Sequence, residues 1–112
     1  MDKQERTEIN DKLAKHRQAR IELAWKNVLN DRDGRMIIYY ILQRCGYGSS
    51  ALADDPHITA ANAGMQKISE DIMRDLNKHS PDSFFQMVKE AREDVEIEKK
   101  YLEQLIKGTE ND

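Results

Sequence analysis

Breaks in the hydrophobic pattern divide this chain into four stretches, each long enough for a helix. The breaks fall at residues 31–35, 46–57 and 80–82, where glycine, proline, serine and aspartate are concentrated. A chain of 112 residues is short for more than one independent core. The sequence therefore predicts a single all-α domain over residues 1–112, a small helical bundle of about four helices with extended first and last helices.

The first stretch, residues 7–30, contains neither glycine nor proline, so nothing in it interrupts a helix. Its apolar residues become dense only in the second half, where Trp25, Val28 and Leu29 lie. The pattern predicts a first helix that is exposed early and packed late. We expect the core over about residues 21–106, with polar ends at 1–8 and 108–112.

The second stretch is apolar at every position from 36 to 42, which suits a buried strand as well as a buried helix. Its flanks favour a helix. Asp31 can cap the first turn with its side chain, Arg44 suits the last turn, and Gly46 can adopt the left-handed conformation that ends many helices. We therefore expect a second helix whose apolar run, including Ile41, is buried.

A third helix is predicted over residues 58–79, where Ile68, Ile72 and Leu76 recur every four residues on one face. The segment after it restarts the chain. Ser80 can act as a cap, and Pro81 suits the first helical position because its missing N–H is not needed there. A fourth helix should follow, ending at residue 106 or 107.

The fourth helix carries a seam of side chains spaced alternately by four and three residues, as in a coiled coil. The seam consists of Phe84, Val88, Ala91, Val95, Glu98, Leu102 and Leu105. Three shorter helices cannot cover so long a seam, so we expect self-association or a partner helix. Trp25 is a further candidate for this interface because buried aromatic side chains often anchor contacts.

No residue set indicates an enzyme. His16, His57 and His79 lie in different segments, without a second ligand at metal-binding spacing. Cys45, the single cysteine, lies at a predicted helix carboxyl end, where the backbone dipole opposes thiolate formation, so a packing role is favoured. Residues 46–50 lack the ending of a phosphate-binding loop. We expect no catalytic residues, no metal and no cofactor.

Charge makes nucleic acid a secondary partner at most. The 18 basic and 21 acidic side chains are interspersed and give a net charge of -3. The bases at 12, 15, 17 and 20 could contact nucleic acid, but neighbouring acids dilute them, and an acidic protein surface is an equal candidate. The acids of residues 90–103 alternate with bases, which predicts a solvated face. No apolar run is long enough for a membrane segment.

Two glycines and one arginine call for a physical explanation. Gly34 and Gly64 lie within predicted helices, where glycine costs about 1 kcal/mol relative to alanine, so each suggests a close backbone approach. Arg35 lies in a first turn, where the helix dipole disfavours a cation. An acidic partner or a helix carboxyl end should offset this cost, and Asp31, Glu70 and Asp71 are the candidates.

Taken in order, these landmarks resemble the small Bordetella-phage-type domain family of tailed-phage virion proteins. The resemblance covers roughly residues 24–91. The motif residues that carry it, together with the helix restart, are Asp31, Gly34, Arg35, Cys45, Gly46, Gly64 and Pro81. The resemblance implies a virion protein, made in the cytoplasm of the host bacterium, with a structural role around the portal or among internal head proteins.

The leading hypothesis is therefore a non-enzymatic phage structural or assembly protein. Its expected partners are other virion proteins, at the portal or in the internal core, and copies of itself. A small cytosolic helical adaptor or regulatory protein, acting through the same seam, is the alternative. DNA binding through a helix-turn-helix near residues 31–35 ranks last, because residues 36–42 are too apolar for a recognition helix.

Overall fold

The computed structural model describes residues 1–111, which contain four α-helices and no strand. The helices are α1 (Lys3–Leu29), α2 (Arg32–Arg44), α3 (Pro56–His79) and α4 (Ser83–Asn111). This confirms the all-α fold with long first and last helices. Among these described residues, no helix is both long and apolar enough to cross a membrane.

α1 begins four residues earlier than the sequence pattern predicts. Asp2 caps it, because its Oδ1 atom accepts a hydrogen bond from the backbone N–H of Glu5 at 2.7 Å. Residues 1–21 are exposed on every side, so no apolar periodicity marks the start of this helix.

The turn between α1 and α2 contains only Asn30 and Asp31. Asp31 is the N-cap of α2, but its side chain makes no capping hydrogen bond, contrary to the prediction. Its carbonyl oxygen instead accepts the backbone N–H of Arg35 at 2.9 Å. So short a turn places the first turn of α2 directly beside the last turn of α1.

The end of α2 follows the prediction. Gly46 has a φ of 76°, in the left-handed region. Its N–H donates to the carbonyl of Gln43, and the N–H of Tyr47 donates to the carbonyl of Leu42. These two bonds form a Schellman motif, which requires a residue that tolerates positive φ. Cys45, at the C-cap, is half-buried.

α3 begins at Pro56, two residues before the predicted start. The Oδ1 atom of Asp55 accepts a hydrogen bond from the N–H of His57 at 2.8 Å, and Pro56 occupies the first turn, where it needs no N–H partner. The loop between α2 and α3 is correspondingly shorter than the predicted 46–57.

The corner between α3 and α4 differs from the prediction at Pro81. This residue lies in a turn, and α4 begins at Ser83. The first helical hydrogen bond of α4 is the one that the backbone carbonyl of Asp82 accepts from the N–H of Gln86. The helix therefore starts at the next residue, Ser83. Ser80 therefore closes α3, and its hydroxyl accepts the Ser83 hydroxyl at 2.5 Å.

The carboxyl end of α4 also differs from the prediction. The helix continues through Gly108 to Asn111, whereas the sequence pattern predicts an end at residue 106 or 107; Asp112, the last residue of the predicted polar end, lies outside the described residues. A single glycine inside a helix costs about 1 kcal/mol and does not by itself end the helix. The Thr109 hydroxyl donates to the carbonyl of Leu105 at 3.0 Å within this last part.

The core is small. Leu29, Leu76 and Met87 form its centre, one from each of α1, α3 and α4. The partly buried side chains that pack against it are Trp25, Ile38, Tyr39 and Phe84. The buried residues in the part of the chain that the structure describes lie between positions 29 and 90, inside the range 21–106 expected for the core.

Two predicted buried faces are only partly covered. In α2, Leu42 is 1% exposed, but Met36, Ile37 and Tyr40 are 54 to 57% exposed and Ile41 is 37% exposed. The prediction that the whole run is buried is wrong, because a short helix in so small a bundle is covered on one side only. On α3, likewise, Leu76 is buried while Ile68 is 54% exposed.

Both long helices project beyond the bundle. The radius of gyration is 21.1 Å and the longest dimension is 80 Å, whereas a compact domain of this length has a radius of about 13 Å. The projecting parts are the α1 arm, residues 3–21, and the α4 arm, residues 95–110, in which every residue is exposed. α1 and α4 are not packed along each other.

The two helical glycines have different surroundings. A Cβ atom at Gly34 would fall on the backbone carbonyl of Val28, in the last turn of α1. The predicted close backbone approach is therefore confirmed at Gly34. A Cβ atom at Gly64 would meet nothing within 4 Å, so the same prediction is wrong there.

Alanine substitutions at these two glycines should change stability in opposite directions. Gly34→Ala should lower the free energy of unfolding by about 1–3 kcal/mol, because α1 must move to accept the methyl group. Gly64→Ala should raise it by about 0.5–1 kcal/mol, because alanine is the better helix former. Urea unfolding followed by circular dichroism measures both. A Gly34→Ala protein as stable as the wild type would contradict the close approach.

Candidate interaction site

A buried ion pair joins α2 to α4. Arg35 and Glu90 are each 8% exposed. The Nε atom of Arg35 donates to both carboxylate oxygens of Glu90 at 3.1 Å, and Nη2 donates to Oε1 at 2.6 Å. Such a forked pairing fixes the orientation of both side chains. It therefore sets how α4 lies on α2.

The same arginine also holds the end of α1. Its Nη1 atom donates to the backbone carbonyl of Leu29 at 2.9 Å, which lies in the last turn of α1, where carbonyls lack helical partners. The side-chain amide of Gln86 donates to Glu90 Oε1 at 3.2 Å. Within residues 1–111, no buried side-chain nitrogen or oxygen is left without a hydrogen bond.

This arrangement partly matches the expectation for Arg35. An acidic partner and a helix carboxyl end are both present, but the acidic partner is Glu90. Glu70 and Asp71 were the wrong candidates, since Arg35 makes its side-chain hydrogen bonds to Glu90 and Leu29. Asp31 contributes only a weak charge interaction. The alternating charges of residues 90–103 predict a solvated face for Glu90, and only the packing of α4 on α2 buries it.

The pair changes the acidity of both groups. Hydrogen bonding from Arg35 lowers the pKa of Glu90 from its ordinary value of 4.5, although burial opposes this shift. Hydrogen bonding to Glu90 raises the pKa of Arg35. The pair therefore stays ionised well below neutral pH.

Exposed ion pairs continue the α2–α4 contact. Arg32 donates through Nη1 to Glu93 Oε2 and through Nη2 to Asp94 Oδ1, each at 3.1 Å. The Arg32 side chain is 47% exposed, so these pairs contribute little to stability. They place Glu93 and Asp94 of α4 beside the start of α2.

Beside these ion pairs, α2 and α4 enclose an open groove of about 700 Å³, which we call the α2–α4 groove. Its apolar lining consists of Met36, Tyr39, Tyr40, Val88, Ala91 and Val95. Its charged side chains are Arg92, Asp94, Glu96 and Glu98. The groove thus has apolar walls and a charged rim, on which Asp94 is paired with Arg32 and Glu96 with Lys99.

The apolar surface continues along α4 beyond the groove. We call this part the distal seam: Tyr101, Leu102, Leu105 and Ile106, which are 48 to 61% exposed. An exposed apolar stripe on a small protein is typical of an interaction surface. The groove and the distal seam together form one candidate site along α4.

The predicted interface residues fall into separate environments. Trp25 and Phe84 pack against the core, and Trp25 also stacks on His79 with ring centroids 6.0 Å apart. Val88 and Val95 line the groove and Glu98 lies at its rim. Leu102 and Leu105 lie on the distal seam. The α4 positions from Val95 onward are therefore the ones available to a partner.

The α2 wall of the groove was missed from the sequence. Met36 and Tyr40 belong to a run that is apolar throughout, which predicted burial on all sides. No periodic signal in that run distinguishes the covered face from the open one. Among residues 1–111, the structure also contains no group of three or more His, Cys, Asp or Glu placed to hold a metal ion.

Fold and site together define a small helical protein with an uncovered apolar face. Residues 25–89 match the model of a family described as Bbp19-like phage protein. Because the match covers more than half of the chain, this chain belongs to that family, and the resemblance drawn from the motif residues is confirmed. No curated protein and no solved structure matches the chain.

The matched region coincides with the packed bundle. It begins at Trp25, includes Gly34, Arg35 and Gly46, and ends one residue before Glu90. The α1 arm and the distal seam lie outside it. The family resemblance therefore concerns the bundle that positions the two arms.

The Arg35–Glu90 pair should make stability depend on pH in the acid range. Because the folded pKa of Glu90 is lowered, the pair stabilises the fold fully above about pH 4.5, and this stability is lost as pH falls toward the folded pKa. Over that range the unfolded chain binds a proton that the native chain does not. Urea unfolding at pH 7 to 3 measures the effect.

Glu90→Gln isolates this contribution. At pH 7 the free energy of unfolding of the variant should be about 3 kcal/mol lower than that of the wild type, because Arg35 remains buried without a charged partner. Below pH 4.5 it should fall less steeply than that of the wild type. Glu93→Gln, which removes an exposed partner of Arg32, is the matched control and should change stability little. Equal losses of stability in the two variants would show that the buried pair stabilises the fold no more than the exposed pair does.

Proposed function

We propose that this phage protein is a non-enzymatic structural or assembly component of the virion, which associates with the portal or with internal head proteins and with itself. The observation that carries the proposal is the distal seam, an apolar stripe that the chain itself leaves uncovered. Family membership supports a phage role, and the bundle geometry supports one based on protein contacts.

An apolar helix face that is left in water costs free energy. A helix gains most of its stability from packing an apolar face, yet Leu102 and Leu105 are at least half exposed. A partner helix laid along the distal seam would remove these side chains from water, with side chains spaced by three and four residues interlocking. Association therefore stabilises the part of α4 that the bundle cannot.

The bundle serves as the base for this contact. Arg35 and Glu90 fix α4 on α2 close to where the helix leaves the bundle. The α4 arm of 16 residues then extends about 24 Å, a length suited to contact a neighbouring protein in a large assembly. In the proposed role the protein acts in the virion after synthesis in the host cytoplasm, and its contacts need no cofactor.

One substitution on the distal seam tests the proposal. Leu102→Asp should leave the helical content unchanged, because residue 102 is 56% exposed, and should abolish binding to the portal and incorporation into particles, because it places a charge in an apolar contact. Gln104→Asp, two residues away on the opposite face of α4, should bind as the wild type does. Light scattering of protein mixed with portal protein, together with mass spectrometry of purified particles, measures both.

The same measurements separate the proposal from its alternative. Wild-type chain present in particles in a fixed ratio to the portal supports the virion role. A chain absent from particles that also leaves the portal unbound would instead favour the cytosolic adaptor. Leu102→Asp behaving as wild type in both assays would remove the distal seam from the proposal.

A further inference from the structure

The α1 arm is a helix with no covering partner in its own chain. Residues 3–21 contain six lysines and arginines against three acidic residues, and within residues 1–111 none of these bases forms an ion pair. An isolated helix of this length is marginally stable in water. The arm therefore lacks both packing and charge partners.

One face of the arm combines apolar and basic side chains. Arg6, Ile9 and Leu13 are separated by three and four residues, so they share a face, and Arg20 lies on it two turns further on. Ile9 and Leu13 are 50% and 42% exposed. The face thus presents two apolar side chains with an arginine on either side.

The α2–α4 groove has the complementary pattern. Its lining contains three acids, of which Asp94 is paired with Arg32 and Glu96 with Lys99. Along α4, Ala91, Val95 and Glu98 are separated by four and three residues. Glu98 makes no ion pair in the described part of the chain, and it interrupts an otherwise apolar seam.

We infer that the α2–α4 groove of one copy takes the α1 arm of a second copy, with the two helices antiparallel. In this register Leu13 lies beside Ala91, Ile9 beside Val95, and Arg6 beside Glu98. The inference rests on the proposed assembly function and names one of its contacts. The distal seam stays free for other virion proteins.

Charge disfavours one competing contact, the parallel pairing of two α4 seams. A parallel α4 pair would place Glu98 of each copy at the same seam level, where like charges repel. The arm instead offers Arg6 to Glu98, the acid of the groove lining that forms no ion pair in residues 1–111. Since the arm and the groove are different surfaces, each copy can both donate an arm and accept one, which builds closed rings or exchanged pairs.

Two substitutions separate the arm from the groove. Leu13→Asp places a charge on the apolar face of the arm and leaves the groove intact, whereas Val95→Asp places a charge in the groove and leaves the arm intact. Both positions are exposed, so the fold should persist. Wild-type protein should self-associate in light scattering, and each variant alone should need at least about tenfold higher concentration to do so. An equal mixture should form a two-chain species, because an intact arm can then enter an intact groove.

A charge exchange tests the register, and one surface variant serves as the control. Arg6→Glu and Glu98→Arg should each weaken self-association, and the chain carrying both changes should recover it. Gln18→Asp, which lies on the opposite face of the arm, should behave as wild type does. Circular dichroism of every variant should show unchanged helical content.

Several results would overturn the inference. A wild-type protein that stays monomeric would overturn it. The proposed virion role would still stand in that case if the chain is found in particles. Self-association that survives Leu13→Asp, or a mixture no larger than its components, would point to an α4 pair. Loss of binding to a DNA duplex in Arg6→Glu, with self-association unchanged, would assign the arm to nucleic acid.

Discussion

The bidentate contact of Arg35 with Glu90 is the interaction on which the rest of the structure depends. It joins α2 to α4, and through the carbonyl of Leu29 the same guanidinium also holds α1. A bundle with so few buried apolar side chains has little other means of fixing helix orientation. The close approach at Gly34 is part of the same junction, because it lets α2 start beside the end of α1.

The small size of the bundle accounts for what it leaves uncovered. The other three helices cover one side of α2, whereas only α2 and α3 pack on the first half of α4, and the remaining apolar side chains face water. A groove therefore forms where α2 and α4 diverge, and the distal seam continues from it. The proposed assembly role uses this uncovered surface, while the buried ion pair determines the direction in which it projects.

The family match covers the bundle and excludes the two arms. Residues 25–89, which match the Bbp19-like phage protein family, lie in the packed bundle, and the arms extend from it on both sides. The face of the α1 arm that enters the proposed contact carries two exposed apolar side chains, Ile9 and Leu13. Arg6 of the arm complements Glu98 of the groove, which links the two ends of the chain in the proposed contact between copies.

The sequence by itself determined the helices, because caps, glycines and apolar spacing act locally: Gly46 ends α2 as predicted, and the heptad spacing of α4 is visible in the printed residues. It also showed that Arg35 needs a counter-charge. Only the tertiary structure decided that Glu90 supplies it, that Ile41 is exposed while Leu42 is buried, and that α2 forms a groove wall. These three features depend on which helix faces pack together between residues far apart in the chain. Neither a run of apolar residues nor an alternation of charges indicates which face that will be.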